Sequence, residues 1–263
     1  MDVTADIARL PGVVPGEAIS GGIAAQAGSD ACLLYRYTDR LLEVRAMDPL
    51  ALEVPEALAT LSTAQLQVNA VEDLEIALVR PVTLNGSMQL LVFLHETLSQ
   101  VGRLCTFNPF TLGIHHISAT VPYSPSSISV SAPFCAGQGS STEWEFAIVC
   151  FGLAGGRALV GNLTIGSGGS QLTALKTCTL GKHKCCVTDV CVLQRPDTSG
   201  RALIFFGLES GHAVALEYNP FNGGRATHVC TVSEGADLGP VSCVVGAALD
   251  DHRMVLCTGH DAN

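Results

Sequence analysis

The chain has 263 residues, a formal net charge of −10, 48% hydrophobic residues and only 14% charged ones. That charged share is far below the ~25% of an average soluble domain, which excludes a disordered chain. The acidic balance also makes nucleic acid a poor partner, because phosphate backbones repel it.

The N-terminal run MDVTADIARLPG places Asp2 and Asp6 ahead of any Lys or Arg, so it lacks the basic start of a secretory signal. No apolar run approaches the ~20 residues of a membrane span. The expectation is a soluble protein of the cytoplasm or nucleus with no membrane partner. Eleven cysteines follow no framework spacing and read as free thiols acting as small hydrophobes.

In chain order, Ala31–Ala46 reads as strand–turn–strand with Asp39-Arg40 at the turn. The stretch 49–61, PLALEVPEALATL, predicts a short helix interrupted by Pro55. Met88–Phe107 reads as a second strand–turn–strand unit. Pro122–Thr142, rich in Ser, Pro and Gly, predicts an inserted surface loop.

A repeat then emerges. Ala147–Leu163 (AIVCFGLAGGRALVGNL) aligns without a gap on Ala202–Tyr218 (ALIFFGLESGHAVALEY) at an offset of 55, with six identical pairs. Gly152, Gly156 and Phe151 fall on Gly207, Gly211 and Phe206. A late copy, Val255–Asn263, brings Gly259 and Asp261 to the places of Gly207 and Glu209. Upstream, Ile117–Val121, Val187–Val192 and Val241–Val245 share a β-branched opening followed by Ser or Thr. Cys105-Thr106, Cys178-Thr179 and Cys230-Thr231 precede the next such run. Short β-branched or aromatic runs bounded by turn residues are strands, and Glu209-Ser210-Gly211 marks a hairpin.

Four short strands per unit, at a period near or above the ~40–45 residues of a WD repeat, resemble that family. Gly207-Leu208-Glu209-Ser210-Gly211 fits its turn, while Leu216-Glu217 and Gly161-Asn162 stand where Trp-Asp is usual. The stretch from Cys185 onward looks most like the G-protein β-subunit-like and ASTRA-associated group. The resemblance implies an all-β WD-type propeller that scaffolds other proteins, with an adaptor role in chaperone-assisted assembly of large complexes. The predicted blades run 15–60, 61–111, 112–182 and 183–234, with a partial blade at 235–263 that ends mid-blade. An incomplete ring of this kind, with open blade faces, is expected to be poorly soluble alone. The turn residues Gly152, Gly156, Gly207, Glu209, Gly211, Gly259 and Asp261 are assigned structural roles.

Catalytic and metal readings are weaker. Cys178, His183, Cys185, Cys186 and Cys191 form the densest soft-ligand cluster, but they lack the paired knuckles of a zinc site. A zinc-stabilised module is therefore an alternative, as is an enzyme built at a propeller channel. His115-His116 near Ser118 lacks an orienting acid. Gly166–Ser170 lacks the Lys of a phosphate loop. No catalytic residue and no cofactor is expected. Trp144, between Glu143 and Glu145, is a candidate anchor for a protein partner.

Overall fold

Runs of β-branched and aromatic residues become nineteen strands among the described residues of a computed structural model. It describes residues 19–25, 32–47, 57–66, 73–121, 124–136, 144–166, 169–195, 200–221, 224–233, 236–248 and 254–261.

The first sheet runs in order through β1 (Ser20–Ala25), β2 (Cys32–Tyr37), β3 (Leu41–Met47) and β4 (Ala57–Ser62). A helical turn, α1 (Thr63–Leu66), follows and buries Leu66. The second sheet holds β5 (Leu74–Leu84), β6 (Ser87–Glu96), β7 (Val101–Asn108) and β8 (Gly113–Val121). The third has an edge made of two short strands, β9 (Ser127–Val130) and β10 (Phe134–Ala136). Both pair with β11 (Trp144–Leu153), which is followed by β12 (Arg157–Gly166) and β13 (Gly169–Thr179). The fourth holds β14 (Val187–Gln194), β15 (Ala202–Leu208), β16 (Ala213–Asn219) and β17 (Arg225–Val232). The fifth pairs β18 (Val241–Ala248) with β19 (Met254–His260). Within every sheet, neighbouring strands are antiparallel.

The sequence repeat is a repeat of register. Phe151 pairs with Leu159 and Gly152 with Ala158; 55 residues on, Phe206 pairs with Val214 and Gly207 with Ala213.

Each hydrophobic cluster lies between one sheet and the next. Leu33, Leu42 and Val44 meet Leu90, Val92 and Phe107. Leu91 and Phe93 meet Ile128, Val149 and Phe151. Phe146, Ile148 and Cys150 meet Phe206, Leu216 and Tyr218. Phe205 and Ala215 meet Val241 and Val244. Alternate residues of one strand therefore serve two cores: Leu90 and Val92 face backward, Leu91 and Phe93 forward. A strand buried on both faces needs a continuous apolar run, and β6 is buried from Met88 to Leu94. This accounts for much of the high apolar fraction and the scarcity of charge.

Opening strands adjoin one another, β5 to β9, β9 to β14 and β14 to β18. Polar links tie them: Arg80 Nε donates to the Ile128 carbonyl (2.9 Å), Val192 N to Ser129 Oγ (3.1 Å) and Val244 N to Asp189 Oδ2 (2.8 Å). Sequential four-stranded antiparallel sheets stacked in this way form a β-propeller arrangement. The fold is thus all-β, with three four-stranded blades, a five-stranded third blade whose opening edge is divided into β9 and β10, and a two-stranded fifth among the described residues. None of those residues pairs the fifth blade with the first.

Three expectations change. Ile117–Val121 does not open the third blade; it belongs to β8 and pairs with β7, so the expected boundary at 111/112 falls inside the second sheet. Cys105-Thr106 accordingly lies in a third strand, whereas Cys178-Thr179 and Cys230-Thr231 lie in fourth strands. The opening strand of the third blade comes from the expected loop 122–142, as β9 and β10. Its proline and serine content fits an interrupted edge. Pro125 and Pro133 stand outside the strands, and Ser131 bridges the break: its N donates to the Ile148 carbonyl and its Oγ accepts from Ile148 N, both at 2.9 Å. Finally, 57–62 is a strand, because pairing with β3 overrides the helix preference of Ala and Leu. Residues 49–56 of the expected helix lie outside the described residues.

Candidate interaction surface

The repeat-turn residues divide into two groups. Gly156, Glu209 and Gly211 stand in the turns between second and third strands. Gly156 and Gly211 take φ of +64° and +78°, where a side chain is strained. Gly211 N donates to the Leu208 carbonyl (2.9 Å) and Glu209 N to the Cys186 carbonyl (3.0 Å). Asp261 N makes the matching bond to the Pro240 carbonyl (3.0 Å), and Thr97 N to that of Asp73 (3.2 Å). In three blades the end of the second strand is thus tied to the residue just before the first.

Gly152 and Gly207 are strand residues. A Cβ on Gly152 would lie 2.6 Å from Val187 Cγ1, and one on Gly207 2.6 Å from Val241 Cγ1. Val187 and Val241 each open the next blade, so these glycines allow close approach between sheets. Gly259 sits in β19 opposite Cys243. Trp144 opens β11 opposite Ala136, and its side chain lies outside what is described.

The connector 180–186 joins the third and fourth blades. Leu180 N donates to the Gly156 carbonyl (2.9 Å) and Gly156 N to that of Cys185 (2.7 Å). The His183 ring lies 5.1 Å from that of His212, centroid to centroid. Burial, and then the charges of His212, Lys182 and His228, hold His183 below the usual imidazole range. The unfolded chain therefore takes up this proton before the folded one. Stability is full above the unfolded value near 6.5 and falls as pH drops from there toward the folded value. We expect His183→Gln to flatten the drop in melting temperature between about pH 7 and about pH 5. Parallel melts of the two proteins check this, and equal slopes would contradict it.

The cysteine cluster does not converge. Cys178 is buried toward the fourth blade and Cys191 is half-buried toward the fifth. Cys185 Sγ donates to Ser210 Oγ (3.3 Å), and Cys186 Sγ to the Val187 carbonyl (3.5 Å). Among the described residues no group of three His, Cys, Asp or Glu is placed to hold a metal ion. All eleven cysteines are free, and burial pushes the Cys105 thiol up to about 12. His115 and His116 are both exposed on β8. Gly166 and Gly169 close the β12–β13 hairpin, with 167–168 outside the described residues.

Sequence reasoning did not assemble one further group. The fifth sheet packs over β14, β15 and Ala215 of β16, leaving β17 largely exposed. On that outer half, Glu217 accepts from Arg195 Nη1 through Oε2 (2.6 Å) and from Arg201 Nη1 through Oε1 (2.7 Å). Burial alone would raise the Glu217 carboxyl, but the two guanidiniums hold it below the usual carboxylate value. Arg201, Glu217, Asn219, Arg225 and Thr227 line a shallow pocket of about 160 Å³. Among the described residues β19 pairs only with β18, and the outer face of the fifth sheet exposes Val245 (59%) and Val255 (38%). No helix of the described residues is long and apolar enough to cross a membrane.

No family model and no curated protein matches this chain. Among solved structures it is similar to BBS1N in complex with ARL6DN, soaked with lead. The identity is 10% and the TM-score 0.41, over 92% of this chain and 75% of that one. A mercury-soaked structure of the same complex gives 10% identity and a TM-score of 0.39, over 90% of this chain and 86% of that one. The fold assignment rests on the sheet order, register and stacking described above.

Proposed function

We propose that this chain is a non-catalytic protein-interaction scaffold of the WD-repeat type, an adaptor within a multi-subunit complex of the cytoplasm or nucleus. The observation that carries this reading is the apolar outer face of the fifth sheet, exposed at Val245 and Val255. Apolar surface exposed on a sheet face gains burial energy when another chain covers it. The turn at Gly207–Gly211 supports the WD-type reading, while Leu216-Glu217, standing where Trp-Asp is usual, departs from it. The resemblance to the G-protein β-subunit-like and ASTRA-associated group supports a role in chaperone-assisted assembly.

Affinity capture from cells with the full chain and a Val245→Lys variant tests this. The expected result is a stoichiometric partner set recovered by the parent chain and lost by V245K at an unchanged melting temperature. Equal recovery by both, or no stoichiometric partner, would contradict it.

A further inference from the structure

The segment 181–186 crosses from the third blade to the fourth between two fully buried anchors, Leu180 and Val187. It is held to the turn on either side. Gly156 N, in the β11–β12 turn, donates to the Cys185 carbonyl (2.7 Å). Glu209 N, in the β15–β16 turn, donates to the Cys186 carbonyl (3.0 Å), and Cys185 Sγ donates to Ser210 Oγ (3.3 Å). Between these ties the His183 ring rests on the His212 ring, 5.1 Å away and tilted by 47°. His212 Nδ1 reaches Ser210 Oγ (3.2 Å) and the Ser210 carbonyl (3.1 Å). His183 Nε2 is buried and has no hydrogen-bond partner among the described residues.

A proton added to His183 in this seat is a buried donor without an acceptor, in a cationic setting. Lys182 and Lys184 flank it in the segment, His212 meets it from the β15–β16 turn and His228 acts on it from β17. The turn that meets the His183 carbonyl carries Arg157. Glu209, the acid of the β15–β16 turn, accepts from Cys186 N (3.4 Å). Burial, and then the charges of His212, Lys182 and His228, favour neutral His183 in the seat, so the released segment takes up the proton first. The released form therefore gains as pH falls below the ordinary imidazole value near 6.5. Only a few hydrogen bonds hold 181–186, whereas the two blades share a buried core, so the segment opens before the blades do. We propose that the His183–His212 pair is a proton-operated latch: neutral, it seats 181–186 between the third and fourth blades; protonated, it releases the segment with both blades still folded. Release uncovers the Gly156 turn, Ser210 and the Cys185 thiol, so this end of the stack presents a different surface in mild acid.

Site-resolved amide exchange of the full chain at about pH 7 and about pH 5, corrected for the intrinsic effect of pH on exchange, tests the latch. The amides of Gly156 and Glu209 donate to Cys185 and Cys186, so they report whether the segment is seated. Their protection should fall at least about fivefold at the lower pH, while amides of β11 and β15 keep theirs. His183→Gln cannot take up the proton, so its Gly156 and Glu209 amides should be protected equally at both pH values. Equal protection of these two amides at both pH values in the parent, or the same fall in H183Q, overturns the proposal. So does a fall shared by β11 and β15, which would mark unfolding of the blades in place of release of the segment.

Discussion

Replacing Gly156 by alanine should destabilise the protein by roughly 2–5 kcal/mol, the sum of left-handed strain and an overlap that no rotamer relieves. Gly156 has φ +64°, and a Cβ there would overlap the carbonyl oxygen of His183, a backbone atom of the connector between the third and fourth blades. The same residue holds the connector through hydrogen bonds to Leu180 and Cys185. Gly155 is the internal control. Its φ is +72°, yet its Cβ would meet only Arg157 Nε, at 3.8 Å. Gly155→Ala should therefore lose about 1–2 kcal/mol, the strain alone. Denaturant melts of the two variants separate conformational strain from the inter-blade contact; equal losses would contradict the packing of His183 on Gly156.

Phe206→Ala should remove about 3–5 kcal/mol, the range for deleting a fully buried aromatic ring. Phe206 is 0% exposed and lies in the cluster that joins the third and fourth blades, with Phe146, Ile148 and Cys150 across from it. The loss should therefore be shared, with amides of β11 and β12 losing exchange protection along with those of β15 and β16. Phe110, in the β7–β8 turn and 52% exposed, supplies the contrast, and its alanine variant should stay within about 0.5 kcal/mol of the parent. A Phe206→Ala protein whose third blade keeps full protection would show that the sheets do not share a core.

The hairpins were legible because their chemistry is local. ALIFFGL is apolar on both faces and ends at turn residues, which marks a strand between two packed sheets before any contact is known. The order of strands around them was less legible. Ile117–Val121 has the same β-branched and hydroxyl residues as a true opening strand, and only its pairing with β7 assigns it to the second blade. The strand at 127–136 was hidden by Ser and Pro, since its hydrogen bonds are completed by Ser131 rather than by regular pairing. The roles of Gly152 and Gly207 were out of reach for another reason. Their partners, Val187 and Val241, lie 35 and 34 residues downstream in the next sheet, so the glycine resembled a turn signal. The grouping of Arg195, Arg201, Glu217 and Arg225 was out of reach, because only the register of β15, β16 and β17 brings them together.

Strand-resolved hydrogen exchange of the full chain tests the stacking of the sheets most directly. β6, β11 and β15 are paired on both edges and buried on both faces, so they should exchange only through global unfolding. Among the described residues β19 pairs on one edge only and β17 is largely exposed, so both should exchange about a hundredfold faster or more. Addition of the captured partner should slow β19 and leave β1 unchanged. Protection of β19 in the free chain equal to that of β15, or β15 exchanging as fast as β17, would contradict the serial stack of sheets.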